Sequence, residues 1–82
     1  MAEFDFGWAL DQLKDGFRVC RDGWNGKSMW LELQTPDKDS KMTLPYIYIE
    51  YPKGHSAYSE GCRVPWLASQ TDLLSEDWQI LA

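Results

Sequence analysis

The spacing of apolar positions changes near Gly16, from a helical period to an extended one, and that change outlines the fold. Phe6, Ala9, Leu10 and Leu13 fall at i, i+3, i+4 and i+7, one helical face, which predicts an amphipathic helix over Asp5 to Asp15. Asp5 suits the N-cap, and Gly16 stands where a left-handed residue would stop the helix. Trp8 lies one position off the stripe, so it either widens the buried face or is kept for a subunit contact. Beyond Gly16 the period is two. Phe17 to Arg21 and Met29 to Gln34 alternate, and between them Asp22-Gly23-Trp24-Asn25-Gly26-Lys27 is rich in turn residues, with Asn25-Gly26 the strongest turn signal. A hairpin with an elaborate loop is expected, with Met29, Leu31 and Leu33 on one face of its second strand and Trp30 and Glu32 on the other.

Thr35 to Lys41 is polar, contains Pro36 and reads as a loop. Leu44 to Tyr51, rich in aromatic and β-branched residues, reads as a third strand. Pro52 to Gly61 is a second polar loop. Arg63-Val64-Pro65-Trp66 leads into a last unit, in which Ser69 or Thr71 caps a short helical turn through Leu74 and Asp77 to Leu81 forms a terminal strand. The class is α+β, with an N-terminal helix packed on a small antiparallel sheet and a short helical turn before the C-terminal strand. No segment is repeated and none is low-complexity, so residues 1–82 are expected to form a single domain.

Size alters this picture. With 82 residues, the chain buries only roughly 60% of the surface its unfolded form exposes. Five Trp, four Tyr and three Phe offset that marginal core, and self-association is the other expected remedy. Thirteen acidic residues against eight Lys and Arg give a net charge of -5, which provides no basic stripe for long nucleic acid. A small anion held by backbone N–H groups and one or two cations stays compatible with that charge. No apolar run is long enough to span a membrane, and the N-terminus lacks a secretory pattern. Cys20 and Cys62 have neither zinc spacing nor a disulfide framework around them. They are expected to be small apolar residues in a reducing cytosol, with no metal or other cofactor.

Catalytic chemistry finds little support. His55 is the one histidine, and Ser56 or Cys62 with His55 and Glu60 is a set of letters that many chains hold. Asp72, Glu76 and Asp77 serve either as a carboxylate pair or as solvated charges at a short helix. No helical zinc, phosphate-loop or dinucleotide motif occurs. The chain is therefore expected not to be an enzyme. Two segments instead set aromatic rings beside polar groups: Arg21 to Lys27, and Pro65 to Asp72. Trp24, Asn25, Lys27, Ser69, Gln70, Thr71 and Asp72 together supply what a purine-containing ligand needs, namely a flat apolar wall, amide edges, hydroxyl and carboxylate partners and phosphate donors. The same residues also fit a purely structural role, with Trp24 in the core, Asn25-Gly26 a turn and Ser69 to Asp72 a helix cap.

Those two segments carry a resemblance. Arg21-Asp22-Gly23-Trp24-Asn25-Gly26-Lys27 followed by Met29, Leu44-Pro45-Tyr46-Ile47-Tyr48, and the long block from Val64 to Trp78 resemble the Thoeris anti-defense family of phage and prophage proteins, specifically its second type. The likeness runs from the Phe6-Gly7 helix to the C-terminus. It implies a molecular sponge: a TIR-domain enzyme of the bacterial host makes a cyclic ADP-ribose isomer as an alarm, and the family binds that signal without cleaving it. It also implies a homo-oligomer, commonly a tetramer, in the cytoplasm of the infected bacterial host, with pockets between subunits. Some members hold cyclic dinucleotides at a separate site. The chain departs from the family pattern between Tyr48 and Val64, where Glu50 to Gly61 replaces a short charged turn. That difference bears on ligand choice; if the loop overhangs a pocket, Lys53, His55 or Tyr58 reaches the ligand. The rival interpretation is a proteinaceous inhibitor that docks directly on a host defence enzyme through its acidic surface.

Overall fold

The computed structural model describes residues 4–24, 29–53 and 61–81. The first helix, α1, spans Phe6–Lys14. Asp5 caps it, its Oδ1 accepting from the Trp8 N–H at 2.9 Å. At the other end the Gly16 N–H reaches the Leu13 carbonyl and the Phe17 N–H reaches that of Gln12. This pattern needs a left-handed residue after the C-cap, and Gly16 supplies it at φ +94°. Ala9 and Leu13 are fully buried in one cluster with Val19, Leu31, Ile49 and Trp78. Phe6 and Leu10, from the same stripe, and Trp8, from beside it, pack around that cluster.

Five antiparallel strands make one sheet: β1 (Val19–Arg21), β2 (Trp30–Gln34), β3 (Tyr46–Tyr51), β4 (Cys62–Pro65) and β5 (Trp78–Ile80), in the order β4-β3-β2-β1-β5. A second helix, α2 (Gln70–Leu74), precedes β5. The α+β class holds, as a five-stranded antiparallel sheet with two helices. The register aligns Ile80, Val19, Leu31, Ile49 and Val64 across all five strands. This apolar rib is buried at its three central members and exposed at Ile80 and Val64, on the two edges.

The expectations along the chain are corrected in five places. The first strand starts at Val19 and not at Phe17, whose ring is exposed. The second strand starts at Trp30 and not at Met29. The third starts at Tyr46, because Leu44 is exposed and Pro45 offers no N–H to a ladder. The last starts at Trp78. Arg63 to Pro65, expected only to lead into the last unit, belongs to strand β4, where Pro65 is tolerated because β4 is an edge. Among the described residues, no helix is long and apolar enough to cross a membrane.

Candidate functional site

Where β1 ends, the chain is tied to residues more than fifty positions away. Arg21 is paired with Trp78 across the β1–β5 ladder, and a 3-10 turn, Asp22–Trp24, follows it directly. The Arg21 guanidinium donates through Nε to Asp77 Oδ1 at 2.9 Å and through Nη1 to Asp72 Oδ1 at 2.8 Å. The second oxygen of Asp77 accepts the Gly23 N–H at 2.7 Å, and the Asp22 N–H reaches the Asp77 carbonyl at 3.0 Å. One arginine thus holds two carboxylates, and one of them holds the turn.

The partners on α2 are equally interlocked. Ser69 and Asp72 form a reciprocal cap: the Asp72 N–H donates to Ser69 Oγ at 3.1 Å, and the Ser69 N–H to Asp72 Oδ2 at 3.3 Å. The Trp78 indole N–H donates to the Asp72 carbonyl at 3.1 Å. Trp78 is 1% exposed and forms the hub of an aromatic cluster, with the rings of Phe6, Trp24 and Trp66 edge-on to it at 5.4, 5.5 and 6.1 Å.

Charge follows this geometry. The hydrogen bond from Arg21 holds the Asp77 carboxyl below its ordinary range, against an opposing effect of burial. Burial pushes Asp72 upward, but hydrogen bonds from Arg21 and Ser69 outweigh it and leave Asp72 lowered too. Arg21 is held still more firmly protonated, chiefly by Asp77. Burial raises the Cys20 thiol above its usual value.

Beside this network lies an open groove of about 420 Å³, with apolar walls from Phe4, Trp8, Trp78 and Ile80 and a rim that carries Asp22 and Asp77. A smaller recess of about 160 Å³ lies against Tyr46, Tyr48 and Arg63. There Arg63 stacks over the Tyr48 ring at 5.6 Å and donates to Glu50. Among the described residues, no group of three potential ligands is arranged to hold a metal ion.

The model of the Thoeris anti-defense 2-like domain matches residues 4–81. The Thoeris anti-defense 2 protein of Bacillus phage SP01 is 38% identical over 86 residues, which cover 98% of this chain and 97% of the phage protein. The chain belongs to the Thoeris anti-defense 2-like family.

In this Thoeris anti-defense 2-like chain, Trp24 and the Ser69–Asp72 block lie on the two sides of one ion-pair network. Trp24 is half-buried against Trp78. Gln70 and Thr71 are exposed on the first turn of α2. Ser69 and Asp72 are engaged within the protein: the Ser69 hydroxyl caps, and each oxygen of Asp72 already accepts a hydrogen bond. Asn25 and Lys27 lie outside the described residues, as do His55 and Tyr58. Lys53 is described and exposed.

Asp77 stood out in the sequence only as one of three carboxylates near the short helix, and Arg21 not at all, because the role of each depends on their meeting across the fold. The groove was also missed. Its one legible signal was Trp8, off the helical stripe.

Proposed function

We propose that the chain counters Thoeris defence by sequestering a cyclic ADP-ribose-type signal in the cytoplasm of the infected host, without cleaving it. Family membership supports the anti-defence role. The observation that carries the binding mode is the bridge from Arg21 to Asp72 and Asp77, which joins the two aromatic–polar segments while Gln70 and Thr71 stay open to solvent. The Gln70 amide can donate and accept, which suits a base edge or ribose hydroxyls, and the Thr71 hydroxyl can do the same for a ribose or phosphate oxygen. Trp24 supplies an apolar wall. By residue type, the Lys27 ammonium and the Asn25 amide would add donors for phosphate and ribose oxygens.

Binding without cleavage also fits the protonation states. An acid or base working near neutral pH needs a pKa near 7. At this junction Asp72 and Asp77 are shifted the other way, and burial raises the Cys20 thiol. The protein works as a homo-oligomer, a tetramer on the family resemblance, with pockets shared between subunits. Leu67 and Leu74, 92% and 78% exposed, are apolar side chains open to such a contact. The same leucines favour the rival, direct docking on a host defence enzyme.

Calorimetric titration with a panel of cyclic ADP-ribose isomers and cyclic dinucleotides separates the two. A sponge binds a member of the panel, and Asn25→Ala and Thr71→Ala each weaken it by roughly tenfold, the ~1.4 kcal/mol of one lost hydrogen bond. A docking inhibitor ignores the whole panel and forms a stable complex with a host protein.

A further inference from the structure

We infer that Arg21 is the positioning residue of the ligand site, fixing the Asp22–Trp24 turn to the start of α2 without touching the ligand. The inference rests on the sequestration reading for its effect on affinity, but the tie itself can be measured without any ligand. Both segments are too short to hold their own geometry. The turn has three residues and α2 has five, well below the length at which a helix persists in water. Each is held by a carboxylate, Asp77 for the turn and Asp72 for α2, and among the described residues the two carboxylates meet through the Arg21 guanidinium, beside the backbone bond from Asp22 to Asp77 and the indole bond from Trp78 to Asp72. Arg21 reaches them through different nitrogens, so its planar fork sets both the spacing and the angle between the segments. A lysine keeps the charge but brings a single flexible ammonium, which cannot reproduce that angle. The core cluster of Ala9, Leu13, Val19, Leu31, Ile49 and Trp78 contains no charged side chain, so loosening the fork leaves the frame of the fold in place.

The test compares wild type, Arg21→Lys and Asp77→Asn by amide hydrogen exchange and by titration with the cyclic ADP-ribose isomer that wild type binds. In Arg21→Lys the Gly23, Asp72 and Leu73 amides lose protection together by at least roughly tenfold, while Leu31 and Ile49 stay near wild type. Affinity falls by at least roughly tenfold, and Arg21→Lys combined with Thr71→Ala costs less than the product of the two single losses, because a misplaced Thr71 has less to lose. A purely structural role would lower stability and leave the two losses independent. Wild-type protection at Gly23 and Asp72 in Arg21→Lys overturns the inference. So does unchanged affinity, and so do losses that multiply. If Arg21→Lys fails to fold, Asp77→Asn, nearly the same shape, decides by the same two readings. If wild type binds no isomer, the sequestration reading fails, and the exchange result alone decides whether Arg21 ties the segments.

Discussion

Gly23 brings its backbone N–H to 2.7 Å from Asp77 Oδ2, and no side chain fits between them. A Cβ at position 23 would stand 2.8 Å from that oxygen and 3.1 Å from Arg21 Nη2. Because Asp77 is pinned by Arg21, it cannot swing aside without breaking the fork. Gly23→Ala is therefore expected to cost about 1–2 kcal/mol, the scale of one charge-assisted hydrogen bond, and to weaken ligand binding. Urea unfolding and titration of the same variant check both effects.

Acid should loosen the same junction. Asp72 and Asp77 both have folded pKa values below their unfolded ones. Their stabilisation is therefore complete above the unfolded value of ~3.9 and is lost as pH falls through the folded values. Melting temperature should hold between about pH 5 and 7 on their account and drop below about pH 4. Asp77→Asn should start lower at pH 7 and show a shallower acid limb, as a thermal series across that range would reveal.

The α2 cap makes a separate prediction. Ser69 Oγ accepts the Asp72 N–H, and Ser69→Ala removes that partner from a five-residue helix. A loss of ~1 kcal/mol in unfolding free energy is expected. Arg21 keeps its bond to Asp72, so the affinity loss should be smaller than in Arg21→Lys.

Leu74 probes assembly. It is largely exposed, so Leu74→Asp should change the stability of the folded chain by no more than ~0.5 kcal/mol. If the leucines around α2 form the subunit contact, light scattering should show a lower mass for this variant, with unchanged circular dichroism. If wild type assembles as proposed and the variant keeps the same mass, the contact does not involve Leu74.

What the sequence revealed and what it hid divides by range. The α1 stripe, its Asp5 cap and its Gly16 stop are all set by residues within a few positions of one another, so they could be read directly. So could the Ser69–Asp72 cap. Strand β4 could not be read, because four residues with an exposed Arg63 and a Pro65 become a strand only by pairing with β3. Trp24 and the Ser69–Asp72 block stood out by composition. Their connection did not, because Arg21 meets Asp72 and Asp77 across 51 and 56 positions of chain. Of the roles expected for Asp72, the structure shows the helix cap, and adds the ion pair with Arg21.

A sponge holds its nucleotide signal and does not destroy it. The direct test is to incubate the protein with a cyclic ADP-ribose isomer, remove the free pool, denature by heat and identify what is released by mass spectrometry. Ground-state binding alone provides no route over a covalent barrier, so sequestration predicts recovery of the original cyclic molecule in proportion to protein. Release of ADP-ribose or AMP, or of no nucleotide from any isomer tried, would contradict it.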